Sequence, residues 1–210
     1  MKDKKNSKKV ERRFVSAKEL RVKSDESEDV KPAILEGYSA LFNSRSGNLG
    51  GFIEVIEQGA FVDALGRSDC RSLFNHNPDL ILGRMSAGTL TLKEDETGLY
   101  MANELPETRT AKDLIISINR GDITQQSFGF NVEKDHWGED KETGLAIRTI
   151  IKIGELFDVS PVTFPAYHDT DIAKRSMDLF RKTLEIVTPF RRSKAEDEKK
   201  ENYLKIMGYI

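Results

Sequence analysis

The sequence predicts a mostly β protein with a few helices, an α+β fold built from antiparallel strands. Short apolar and aromatic segments alternate with turn-forming residues over 34–168. One clear helical period lies among them. Hydrophobic residues make up 38% of the 210 residues, enough for one core of ordinary size. We therefore expect an antiparallel core, a closed or partly closed barrel, with one internal helix and a helical C-terminal extension.

Charge divides the chain into three parts. Residues 1–31 carry clustered charges and few large apolar side chains, which predicts a mobile tail, with a docking arm as the alternative. Residues 32–170 hold the predicted strands and form the expected folded domain. Residues 171–210 show an apolar stripe at helical spacing, which ends at Pro189 and predicts a charged helical extension.

Strands follow one another from the start of the predicted domain. Residues 33–43 form the first, and a glycine-rich loop then leads to a strand that runs into a short helix around 61–65. A short strand over 71–76 ends at an Asn-Pro-Asp turn. Residues 80–88 and 89–105 are expected to continue as strands of a meander.

The internal helix follows this meander. Its apolar positions recur at i, i+3, i+4 and i+7: Ala111, Leu114, Ile115 and Ile118. Thr110, with Asp113 three residues later, resembles a capping box at its start. Gly121 is a suitable stop at its end.

Two further strands complete the predicted core. In the first, Ser127 and the alternate residues after it lie on one face, and an apolar face lies opposite: Phe128, Phe130 and Val132. In the second, Glu155 shares its face with apolar residues: Ile151, Ile153, Phe157 and Val159. Asp158 lies on the more polar face with Ser160.

The sequence excludes several kinds of site. A single cysteine, Cys70, leaves no CxxC pair for zinc and no intrachain disulfide. Phosphate-binding glycine motifs and the GxSxG motif are absent from the sequence. The net charge of -2 gives no strong field for nucleic acid, and no apolar run approaches the ~18–20 residues that span a bilayer. We expect no cofactor, no metal and a protein that works in the cytosol.

The residues alone leave the choice of catalytic groups open. A hydroxyl nucleophile needs a base, and the base needs an orienting group. His76 ends an apolar strand beside turn formers, and Ser127 lies beside a glycine, but each position is also typical of ordinary surface residues. The acidic candidates are Asp158 and Glu155. Cys70 is an alternative nucleophile.

Five segments, in order over about residues 34–168, resemble the caudovirus prohead protease family. They are ILEGYSALFN, VIEQGAFVDAL, LFNHNPDLILGR, the stretch from GLYMANEL to SFGF, and LFDVSPVTFPAY. The resemblance implies a fold related to that of herpesvirus assemblins, with the serine nucleophile on a β-barrel. It implies Ser127 as nucleophile and His76 as its base. It also implies an acidic third member at Asp158, with Glu155 as the alternate.

The resemblance further implies a serine endopeptidase of phage prohead maturation. Its substrates would be the scaffold segment of the major capsid protein or a separate scaffold, and the enzyme itself, with an oligomer possible. It would act inside the assembling prohead, in the cytoplasm of the bacterial host, with no specific nucleic acid and no membrane as partner. The alternative is a catalytically inactive protein that binds scaffold or assists capsid assembly.

Overall fold

The structure is a computed structural model, and it describes residues 10–16, 20–23, 32–164, 177–178 and 181–182. The chain divides into two compact units, residues 1–170 and 171–210. Among the described residues the first unit has ten strands and two helices. The strands are β1 Glu11–Ser16, β2 Arg21–Lys23, β3 Ile34–Leu41, β4 Phe52–Ile56, β5 Arg71–Leu73, β6 Ile81–Arg84, β7 Leu90–Glu94, β8 Gly98–Glu104, β9 Gln125–Glu139 and β10 Ala146–Val162; the helices are α1 Val62–Leu65 and α2 Arg109–Asn119.

The strands form two sheets. One has six strands in the order β1-β9-β10-β5-β6, with β4 paired to another part of β10; the other has four in the order β2-β3-β8-β7. All pairs are antiparallel except β4 and β5, which run parallel to β10. The prediction of a mostly β, antiparallel α+β fold is therefore confirmed. The described strands do not close into one ring, so the closed form of the predicted barrel is not observed among them.

The predicted meander is wrong in one respect. Strand β6 pairs with β5 in the six-stranded sheet, whereas β7 and β8 pair in the four-stranded sheet. The chain changes sheet at the turn between β6 and β7. Nearby, Asn103 on β8 reaches across and donates to the Leu82 carbonyl on β6 at 3.1 Å. That buried bond joins the two sheets at this point.

Two strands lie inside the range 1–31, where the sequence predicts a mobile tail. Strand β1 pairs with β9 and β2 pairs with β3, so these segments belong to the sheets. The mobile tail predicted from composition is wrong for β1, because charged side chains of this strand are paired in the interior. Arg13 bonds to Glu54, and both residues are almost fully buried. The rest of residues 1–31 lies outside the described residues.

The apolar face of β9 enters the core as predicted, with Phe128 and Phe130 stacked at a ring separation of 4.8 Å. The faces predicted for β10 are partly wrong: Ile153 and Val159 enter the core as expected, but so does Leu156, which was expected on the opposite face. The core residues of β10 recur every third position rather than every second: Ile150, Ile153, Leu156 and Val159. Register shifts between β10 and β9 at several points explain the change, because each bulge turns the following side chains toward the opposite face.

Helix α2 begins slightly earlier than its capping box predicts. Its N-cap is Thr108, whose side chain accepts a hydrogen bond from the Ala111 amide, and not Thr110. Gly121 ends the helix as predicted, with a φ of 80° and its amide bonded to the Ile118 carbonyl.

In the second unit, residues 177–178 and 181–182 are helical. The remainder of the predicted extension over 171–210 lies outside the described residues. No helix in the described part of the chain is long and apolar enough to cross a membrane.

Candidate active site

Strand β10 positions the site, because it has β9 on one side and β5 on the other near its C-terminal end. On β9, Ser127 lies opposite Ser160 of β10, and Gly129 lies opposite Asp158. On the other side, Asp158 is in register with Arg71 at the start of β5. The turn that follows β5 carries His76. Residues far apart in the sequence therefore meet at one point of the six-stranded sheet.

His76 bonds to both of the other predicted residues. Its Nε2 lies 2.7 Å from the Ser127 Oγ, and its Nδ1 lies 2.5 Å from the Asp158 Oδ1. An ionised carboxylate can only accept, so Nδ1 carries the proton and Nε2 is free to accept from the hydroxyl. The side chains of His76 and Asp158 are each 9% exposed, and Ser127 has no exposed surface. The three side chains form one continuous chain of hydrogen bonds that is almost fully buried from solvent.

The backbone at His76 is left-handed, with φ of 56°, and that of Asn75 is similar at 55°. Such a conformation is uncommon outside glycine and persists when the surroundings enforce it. Here the Asn75 amide donates to the Pro161 carbonyl at 3.1 Å, and the Asn75 Oδ1 accepts from the Thr163 amide at 2.8 Å. These bonds attach the histidine turn to the end of β10. They explain how a short turn can hold an imidazole in a fixed direction.

Asp158 is held by a second partner, Ser160. The Ser160 hydroxyl donates to the Asp158 Oδ1 at 2.7 Å, and Ser160 is completely buried. The other carboxylate oxygen occupies space that only a glycine leaves free, because a Cβ at Gly129 would lie 2.5 Å from the Asp158 Oδ2. Ser160 has no role in the prediction from the sequence. Its position two residues after an acidic candidate on the same strand was the signal available.

A family model described as Caudovirus prohead serine protease matches residues 18–183. The chain belongs to this family. It is also similar to a solved structure, the capsid assembly protease gp21 of bacteriophage T4, with 11% sequence identity, coverage of 72% of this chain and 98% of that one, and a TM-score of 0.43. None of the curated proteins matches.

Within this prohead protease the two acidic candidates occupy different places. Glu155 is in register with Asn131 and half-buried, whereas Asp158 lies beyond the last bulge of β10 and contacts the imidazole. The carboxylate that bonds to His76 is therefore that of Asp158. The bulges decide this, and they are not evident in the amino-acid sequence.

The alternative nucleophile of the prohead protease, Cys70, is poorly suited to the task. It is fully buried, and burial, with a further contribution from the negative charge of Asp158, raises the pKa of its thiol far above the usual range. The thiolate is the reactive form of cysteine, so this environment disfavours nucleophilic attack. Among the described residues, no group of three or more His, Cys, Asp or Glu could hold a metal ion.

Proposed function

We propose that this chain is a serine endopeptidase in which Ser127 is the nucleophile, His76 its general base and Asp158 the group that orients the base. The observation that carries the proposal is the unbroken series of bonds from Asp158 through His76 to Ser127, at 2.5 Å and 2.7 Å. Membership of the prohead serine protease family supports the assignment of this geometry to peptide cleavage.

In this mechanism the Ser127 Oγ attacks a peptide carbonyl carbon while its proton passes to the His76 Nε2. Asp158 accepts from Nδ1–H throughout, and its charge stabilises the imidazolium that forms. The tetrahedral intermediate collapses when the C–N bond breaks, and the imidazolium gives its proton to the departing amine. Water then gives a proton to the His76 Nε2 as it attacks the acyl carbon. When the bond from that carbon to the Ser127 Oγ breaks, the imidazolium returns the proton to Oγ, which leaves a free serine hydroxyl and a carboxylic acid.

The substrates that we propose are the scaffold segment of the capsid protein or a separate scaffold protein, together with the protease itself. The family description, a prohead protease, supports a role in maturation of the capsid precursor. Such an enzyme would act inside the assembling prohead in the bacterial host. In that location the protease would meet its substrate because both are assembled into the same prohead, and not by free diffusion through the cell.

The test is co-expression with its capsid protein, followed by mass spectrometry of both chains. The wild type should cleave, and Ser127→Ala should leave both chains intact. Cys70→Ala is the matched control, because it removes the other candidate nucleophile and should retain cleavage. A serine-directed phosphonate should label the wild type and not Ser127→Ala. Intact chains and no labelling in the wild type would favour a non-enzymatic role in capsid assembly.

A further inference from the structure

Strand β1 occupies the edge of β9 beside the nucleophile. The two strands are antiparallel from Glu11 opposite Phe130 to Ser16 opposite Gln125, and Phe14 lies directly opposite Ser127. This segment precedes the residues that the family model matches, which begin at 18. Strand β1 therefore lies outside the part of the chain that the family model matches, although it pairs with the strand that carries the proposed nucleophile.

One face of β1 lies next to the site, on the same side of the sheet. Residues directly opposite each other in an antiparallel pair point to the same side, so Phe14 projects on the same face as Ser127. Two positions along β9, a Cβ at Gly129 would lie only 3.5 Å from Val10. Both apolar side chains are 38% exposed, whereas Ser127 has no exposed surface. A peptide carbonyl must reach the Ser127 Oγ, so a neighbouring element has to move before cleavage.

The other face of β1 is held by charge. Arg13 donates to both carboxylate oxygens of Glu54, at 2.7 Å and 2.9 Å. Arg148 donates to both carboxylate oxygens of Glu11, at 2.7 Å and 3.2 Å. Arg148 also bonds to Glu54 at 3.1 Å, and all four residues are at most 7% exposed. The folded domain thus offers a carboxylate and a guanidinium to side chains two residues apart.

These features are those of a site that binds an extended strand. Sites of this kind take affinity from main-chain bonds to a sheet edge and specificity from pockets for alternate side chains. With β1 displaced, β9 would be the edge strand, and Glu54 and Arg148 would contact the alternate side chains of the bound strand. Buried ion pairs contribute little net stability, but a buried charge without its partner is costly. Without β1, Arg148 keeps its bonds to Glu54 and Asp135, at 3.1 Å and 2.6 Å, but the bonds between Arg13 and Glu54 and between Arg148 and Glu11 are lost. A peptide with the same charges can replace these bonds, whereas an uncharged peptide cannot.

We infer that the edge of β9 beside Ser127 is the substrate-binding site, and that β1 is a segment of the chain itself that fills it until a substrate replaces it. The ligand is an extended peptide with an acidic residue two positions before a basic one, followed by an apolar residue. The inference rests on the proposed function. It gives Glu54 and Arg148 the role of specificity-determining residues, and it makes displacement of β1 a requirement for cleavage.

A reversible lock on β1 tests the displacement. Ser16 and Gln125 are cross-strand partners at the end of the pair, where two cysteines lie within reach of a disulfide. In Ser16→Cys/Gln125→Cys, the oxidised form should lose most of its cleavage of an acidic-x-basic peptide, and reduction should restore it. The reduced form of the same protein is the control, and wild type carried through both treatments controls for Cys70.

The outcomes separate this inference from the proposed function. Equal cleavage by the oxidised and reduced forms would mean that β1 does not block the substrate, and the inference would be wrong while the protease assignment stood. If the reduced form and the wild type neither cleave nor react with a serine-directed phosphonate, the proposed function fails, and this inference fails with it.

A second measurement needs only the wild-type chain, so it remains available if the double variant does not fold. A synthetic peptide of residues 10–16 is compared with the same peptide in which the residues at positions 11 and 13 are exchanged, which preserves its composition. The first should slow phosphonate labelling of Ser127 at lower concentration than the second. Equal effects of the two peptides would refute the roles of Glu54 and Arg148.

Discussion

Replacement of Asp158 by asparagine tests the geometry of the site most directly. The side chain keeps its size, but one carboxylate oxygen becomes an NH2 group. Where that NH2 group faces the His76 Nδ1 it can only donate, so the ring proton is held on Nε2. It then points at the Ser127 Oγ, 2.7 Å away, and the imidazole can no longer accept the hydroxyl proton.

The size of the loss follows from how completely the contact is isolated from water. Asp158 is 6% exposed, and its Oδ1 already bonds to His76 at 2.5 Å and to Ser160 at 2.7 Å. Water is therefore poorly placed to take over its role. We expect kcat to fall by about 10⁴-fold, the loss seen when the serine-protease triad has the wrong tautomer. That loss corresponds to about 5 kcal/mol of transition-state stabilisation.

Steady-state cleavage of a peptide by Asp158→Asn gives kcat and KM separately, and the rate of phosphonate labelling reports on the nucleophile alone. Both kcat and the labelling rate should fall, and KM should change little, because Asp158 acts through His76. Glu155→Gln is the matched control on the same strand and should keep most of the wild-type rate. The assignment of Asp158 would be refuted if its variant stayed within about tenfold of wild type, or if the control lost as much.

Three further changes test the support of the site and the response to acid. Gly129→Ala should lower kcat sharply, because the new methyl group displaces the Asp158 carboxylate. Gly138→Ala on the same strand is the control and should be tolerated, because its Cβ would lie 3.6 Å from the nearest side-chain atom. Equal kinetics of the two variants would contradict this prediction. Ser160→Ala should lower kcat by roughly 10- to 100-fold, because the hydrogen bond to the Asp158 carboxylate is lost. Ser160→Thr keeps a hydroxyl and should recover part of the lost activity. A loss of thermal stability with unchanged kcat would indicate a structural role for Ser160. Burial opposes ionisation of Glu36, but hydrogen bonds from lysine, tyrosine and arginine partners lower its pKa to about 2. The stabilisation that ionised Glu36 gives the fold is therefore fully present above about pH 4.3, the pKa of a free glutamate, and is lost as the pH falls toward 2. The melting temperature of Glu36→Gln should decline less over that interval than that of wild type. Parallel declines would contradict this prediction.

Local patterns account for the parts of the fold that the sequence predicts well. The alternation of Ser127, Phe128, Gly129 and Phe130 reflects a strand with one face in the core, and this face is where it was expected. The helical period of α2 and its end at Gly121 are also local properties. The order of the family segments pointed to His76 and Ser127, although neither residue is distinctive in its own neighbourhood.

Other features depend on contacts between distant residues. The burial of Glu11 and Arg13 in a strand could not be read from their composition, because it depends on Glu54 and Arg148 far along the chain. A charged segment remains outside a fold when its charges have no partners, and it joins the sheet when they do.

The sequence by itself determined the class of fold, the apolar face of the nucleophile strand and the residues that match the family. Only the tertiary structure decided that Asp158, and not Glu155, bonds to His76, because the bulges of β10 set which carboxylate faces the turn after β5. It also placed Ser160 behind that carboxylate and β1 beside Ser127. Register and bulges are properties of paired strands, and a single strand read alone does not contain them.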